Sequence, residues 1–154
     1  MIKVAVGWTE DADQDLGLPK YETDGAAGAD IRANFSAEHR NKGVTIAPFQ
    51  RVLVPTGLRF EIPNGVEGQL RPRSGLALNH GITLLNSPGT IDSDYRGQIG
   101  LIMINMGEFE FEIKHGMRVA QIVFGTTLKV NFKFSKNLSQ TIRSGSGFGS
   151  TGTK

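Results

Sequence analysis

The chain contains no cysteine among its 154 residues. That excludes a disulfide framework, a thiolate metal site and a cysteine nucleophile. Charge of one sign is also missing: 17 Lys and Arg stand against 15 Asp and Glu, for a net charge of +2. No basic block stands out, so neither a nucleic acid nor an anionic membrane surface is an expected partner. No apolar run approaches the ~20 residues of a membrane helix. The first eight residues are too short and too alternating for a signal peptide. His39, His80 and His115 lack metal-ligand spacing, and there is neither a Walker-type loop nor a dinucleotide fingerprint. The length suits one domain. Together these absences predict a soluble, cytoplasmic protein in a reducing compartment.

What is present is a β pattern. Period-2 apolar alternation predicts strands over Gly43–Phe49, Gln50–Val54, Leu58–Ile62, Val66–Leu70, Gln98–Ile104, Phe109–Lys114, Val119–Phe124 and Lys129–Phe134. In Phe109–Lys114 the alternation is strict, so one face should be buried and the other wet. Gly, Pro and Asn punctuate the chain every 8–12 residues or so, as in a β-sandwich or barrel. One short helix is predicted over Ser74–His80, with Ser74 as N-cap and Gly81 as stop. Trp8 and most of the phenylalanines read as core.

The tail from Arg143 to Lys154 is mostly Gly, Ser and Thr, yet carries Arg143 and Phe148. Such a segment cannot bury enough surface to fold alone. Its hydroxyls and N–H groups suit phosphate, its arginine a charge and its ring a base. The competing reading is a frayed terminus or a Gly/Ser linker.

Four other stretches carry chemistry. In Leu70–Ala77, Arg73, the Ser74 hydroxyl and the Gly75 N–H can converge on a phosphate at a helix start; the alternative is a capping serine beside two solvated arginines. Asn86–Gly97 holds the turn pair Pro88-Gly89 and reads as a hairpin, whose backbone can hydrogen-bond a base edge. Beyond it, a carboxylate of Asp92 or Asp94 can activate water and Tyr95 can pack on a sugar; equally, turns collect aspartates. Gln121 interrupts an apolar strand, as a glutamine serving a network or ligand would, or one facing solvent. Asp30, among small and apolar residues, can orient an arginine or a metal-bound water, or serve a subunit contact.

In this order the pieces resemble the five motifs of the trimeric dUTP pyrophosphatase (dUTPase) family: Ala27-Gly-Ala-Asp30-Ile-Arg; Arg71-Pro-Arg-Ser-Gly-Leu-Ala77; Gly89-Thr-Ile-Asp-Ser-Asp-Tyr-Arg-Gly97; Gly116-Met-Arg-Val-Ala-Gln121; and Arg143 to Gly152. The match runs from about Ala26 to the end. The second and third motifs and Gly147-Phe-Gly-Ser-Thr-Gly152 are specific. Three positions depart from the pattern. Ala29 replaces a larger apolar or aromatic residue, and Ser144 and Ser146 replace glycines, which limits positive φ in the tail.

The resemblance implies an all-β, antiparallel jelly-roll-like sandwich or barrel with one short helix and a flexible C-terminal tail. The β-domain would span residues 1–138 and a Gly/Ser-rich lid residues 139–154. It implies a homotrimer whose sites are shared between chains. It further implies hydrolysis of dUTP to dUMP and pyrophosphate, which keeps uracil out of DNA and supplies dUMP for thymidylate synthesis. Asp92 would be the general base, with Gln121 holding the attacking water or its phosphate. Arg73, Ser74 and Gly75 would hold the phosphates, and Arg143, Ser150 and Thr151 would close on the γ-phosphate. Peptide groups of Gly89, Thr90, Ile91 and Gly100, supported by Asn86, would read uracil; Tyr95 would exclude a 2′-hydroxyl and Phe148 would cover the base. Magnesium would be held by the substrate phosphates, with Asp30 only in its outer sphere. The rivals are a dCTP deaminase or bifunctional relative, which carries a glutamate base, a non-catalytic nucleotide-binding regulator, and a plain jelly-roll interaction module.

Overall fold

The computed structural model describes residues 2–147. Phe148, Ser150 and Thr151 lie outside the described residues. Eleven strands and one α-helix follow in order: β1 (Ala5–Trp8), a 3-10 turn (Gln14–Leu16), β2 (Ala29–Arg32), β3 (Val44–Ile46), β4 (Arg51–Pro55), β5 (Leu58–Glu61), β6 (Val66–Pro72), α1 (Ser74–His80), β7 (Ile82–Leu84), β8 (Gly89–Ile91), β9 (Gly100–Asn105), β10 (Phe111–Ile113) and β11 (Arg118–Thr126). Every pairing is antiparallel. There are two larger sheets, β2-β11-β6-β8 and β4-β9-β7, and two separate two-stranded pairs, β1-β5 and β3-β10. Neighbours in these sheets are mostly distant in sequence, which is the jelly-roll-like all-β architecture expected.

The core follows from the pleat. Successive residues face opposite sides, so Val66, Gly68 and Leu70 of β6 turn inward while Glu67 and Gln69 lie half-exposed. β9 buries Leu101, Met103 and Asn105 and turns Ile102 out. The buried polar residues are matched. Asn105 Nδ2 donates to Ile46 O and Phe109 O, both at 2.8 Å, and its Oδ1 accepts from Gly107 N. The Thr56 hydroxyl donates to Ile99 O at 2.6 Å.

Several expectations are corrected. Lys129–Phe134 forms no strand; Val130, Phe132 and Phe134 are exposed. Its alternation is strand-like, but among the described residues no sheet edge receives it. In the Phe109–Lys114 stretch only Ile113 is fully buried, and Phe109 stands outside β10 and is exposed. Four phenylalanines (49, 109, 132 and 134) are exposed rather than core. Trp8 does pack against the core. Arg73, not Ser74, holds the N-cap position, and its side chain makes no capping bond. Gly81 stops the helix in the left-handed region at φ 68°, its N–H returning to Ala77 O and Leu76 O. The stretch around Pro88-Gly89 is not a paired hairpin. β7 pairs with β9 and β8 with β6, so the turn carries the chain from one sheet to the other.

Candidate active site

Sheet register gathers one half of the predicted site. Asp30 of β2 stands opposite Gln121 of β11, which stands opposite Arg71 of β6. Just past β6 the chain turns into α1, presenting Arg73, Ser74 and Gly75. Asp30, Arg73, Ser74, Gly75, Asn79 and Gln121 line one depression. The first helical bond runs from Ala77 N to Arg73 O, so the N–H groups of residues 74–76 precede the ladder and face the start of the helix.

Asp30 organises this cradle. Its Oδ1 lies 3.4 Å from Arg73 Nε, and its Oδ2 accepts from Arg118 Nη1 at 3.0 Å. Arg73 Nη1 also donates to Arg118 O at 3.0 Å. Arg118 in turn lies 3.4 Å from Glu22. Asp30 thus orients an arginine, one of the roles its surroundings suggested. No local pattern marked Glu22. Arg118 was visible only as a member of the fourth motif. Gln121 is half-buried and its Nε2 donates to Pro72 O at 3.0 Å, so its amide serves a network rather than open solvent.

The other half lies elsewhere. Among the described residues β8 is the terminal strand of its sheet, so one edge there is free to offer peptide groups to a base. Asn86 packs against Gly89, its Nδ2 3.1 Å from where a Cβ would stand. Leu85 N donates to Ile102 O, continuing the β7-β9 ladder toward Gly100 at the start of β9. After β8, Asp92 is exposed in a turn closed by Tyr95 N donating to Asp92 O. Tyr95 Oη donates to Gln98 O at 3.0 Å. Arg96 Nη1 ties the loop through Ser93 O and Tyr95 O.

Within one chain these halves do not meet. Gly89 stands opposite Leu70 and Ile91 opposite Gly68, so β8 runs away from α1. Continuing the register sets Asp92 beside Glu67, six residues along β6 from Arg73, or about 20 Å. Arg143 is exposed and its Nε donates to Ser146 O in the tail itself. Residues 128–147 are all exposed. Ser144 adopts φ 47° despite its side chain.

Among the described residues, no group of three or more His, Asp or Glu converges as a metal cage. Both Asp30 oxygens already face guanidinium groups.

A family model described as dUTPase matches residues 14–152. The chain is 57% identical over 152 residues to a deoxyuridine 5'-triphosphate nucleotidohydrolase of Roseobacter denitrificans, covering 99% of this chain and 97% of that one. It is 51% identical over 141 residues to the protein of the same name from Rhizobium meliloti, covering 92% and 86%. Among solved structures, a mutant dUTPase of Staphylococcus bacteriophage 80alpha with dUpNHpp superposes with a TM-score of 0.82 at 22% identity, covering 97% of this chain and 98% of that one. A mutant dUTPase of phage phi11 described with a structural Mg(II) ion gives 0.72 at 20% identity, covering 88% and 97%.

Proposed function

This chain belongs to the dUTPase family, and from that premise we propose how its residues divide the work. The reaction is hydrolysis of dUTP to dUMP and pyrophosphate. Nothing in the sheet, the cradle or the relatives favours deamination or a non-catalytic role. Asp92 takes a proton from a water whose oxygen attacks the α-phosphorus; the bond to the bridging oxygen breaks and pyrophosphate leaves. Gln121 holds that water or the phosphate under attack. Arg73, Ser74 and the Gly75 N–H bind the phosphate chain and stabilise the charge growing on the leaving group. The observation that carries this reading is the pinned guanidinium of Arg73. With Asp30 behind it and Arg118 O beside it, it is pre-set at a helix start that offers free N–H groups.

The pyrimidine is read by the free edge of β8 through Gly89, Thr90 and Ile91, with Asn86 and Gly100 alongside. Peptide groups that match uracil leave unpaired donors or acceptors against cytosine, a difference reaching about 10⁴-fold. Tyr95 packs beneath the sugar. Arg143, with Ser150 and Thr151, closes on the γ-phosphate, and Phe148 covers the base. Magnesium, when bound, is held by phosphate oxygens and water and neutralises the triphosphate; Asp30, already shared by two arginines, fits an outer-sphere role.

The active unit is a homotrimer in the cytoplasm. The 20 Å gap supports shared sites, because the base of one chain needs the cradle of another. Exposed Leu53 and Ile102, paired across β4 and β9, and the apolar alternation of Val130, Phe132 and Phe134 supply surface for such an assembly. Replacing Asp92 tests the chemistry. Asp92→Asn retains dUTP binding by calorimetry and loses about 10²-fold or more in kcat; near-normal turnover would remove Asp92 as the base.

A further inference from the structure

Gly28 belongs to the first motif, yet it is not a glycine for conformational reasons. Six glycines of the described chain have positive φ, and Gly28 is not among them. Its φ lies outside the left-handed region that favours glycine. Space is the constraint. A Cβ built on Gly28 overlaps Gln121 Oε1 and stands 3.0 Å from Gln121 Cδ and 3.3 Å from its Cβ. All three nearest atoms belong to this one side chain.

We propose that Gly28 is a positioning residue for the hydrolytic step: its bare Cα is the seat in which the Gln121 carboxamide lodges. The inference rests on the role given to Gln121 above. The amide is fixed at both ends. Nε2 donates to Pro72 O, and the Oε1 end lies against Gly28. Fixed in this way, Gln121 still has a second N–H and free lone pairs to present to the water or the α-phosphate, beside the Arg73 that Asp30 holds. A methyl group at position 28 evicts the carboxamide. The atoms that must move are the far end of a flexible side chain, not backbone, so the sheet stays intact while the amide leaves its row.

The expected signature is a turnover defect without a folding or binding defect. Gly28→Ala lowers kcat by about 10- to 100-fold, the scale of removing one positioned hydrogen-bonding group. KM stays within about 3-fold and the melting temperature within about 3 °C, since the change also removes freedom from the unfolded chain. Gln121→Ala gives a similar loss, and Gly28→Ala/Gln121→Ala is no worse than Gln121→Ala alone, because both changes delete one interaction. If Gly28→Ala lowers the melting temperature further, the double variant recovers it, as the atoms in conflict are gone. Three results overturn the proposal. Normal kcat in Gly28→Ala beside a defective Gln121→Ala removes the seat and leaves Gln121 in place. Additive losses in the double variant mean that Gly28 acts through something else. Normal kcat in Gln121→Ala removes the role of Gln121, and with it the purpose of the seat.

Discussion

At the scale of single residues, the site works by sharing. The Asp30 carboxylate divides its two oxygens between Arg73 and Arg118, so it sets the direction of a guanidinium. Tyr95 shows a comparable device. Its ring lies over Gly97, where an added Cβ would overlap the phenolic oxygen and stand 2.5 Å from Cζ, while Oη is tied to Gln98 O. A ring held in this way can exclude a 2′-hydroxyl by contact. Tyr95→Ala therefore relaxes the preference for dUTP over UTP, by about 10-fold or more in the ratio of kcat/KM. Gly97→Ala, which lifts the ring, relaxes it in the same direction. An unchanged ratio in both variants would count against packing on the sugar. Some of this was legible in the sequence. Asp30 among small residues and Gln121 in an apolar run each violate a local pattern, and such violations mark polar networks. Glu22 was not legible, because an exposed glutamate in a loop violates nothing until folding brings it to Arg118.

At the scale of elements, alternation located the long strands because burial of one face imposes it. β6, β9 and β11 fall within a few residues of their expected positions. The three-residue strands β7 and β8 are too short to display a period, and the sheet each joins is set by tertiary pairing. Lys129–Phe134 has the period but no strand partner among the described residues, so alternation alone could not decide whether it forms a strand. Residues 135–147 beyond it are all exposed. Truncation after Leu138 therefore leaves the melting temperature within about 3 °C and cripples catalysis by removing Arg143. Retained activity would contradict the lid. A second element-level device joins the 3-10 turn to the body. His115 Nδ1 accepts from Phe35 N–H at 3.1 Å, so Nε2 carries the proton that meets Asp13 Oδ2 at 3.0 Å. That bond from His115 holds the Asp13 carboxyl below the ordinary carboxylate range; partial burial opposes it, and Asp15 N–H and Arg40 add to it. A depressed folded value contributes stability above the unfolded value of about 3.9 and loses it as pH falls through the folded one. Asp13→Asn thus lowers the melting temperature at pH 7, and the difference narrows in a melting series taken below about pH 4. A difference independent of pH would remove the carboxylate from the explanation.

At the scale of the whole molecule, all five motifs lie in one chain, while the proposed base and the proposed cradle stand apart within it. The motifs read as a single list, but the register of β8 on β6 carries Asp92 and Arg73 to opposite ends of a strand. In the proposed homotrimer a second copy brings such a base to such a cradle, and closed symmetry would make every site in the assembly equivalent. Complementation between two inactive variants tests this most directly. Asp92→Asn and Arg73→Ala chains are unfolded together, refolded as an equal mixture, and assayed for pyrophosphate release from dUTP. If base and cradle come from different chains, about one site in four in randomly mixed trimers pairs an intact Asp92 with an intact Arg73, and activity returns to about a quarter of the parent level. If both residues served the same site from one chain, the mixture would stay as inactive as its two components.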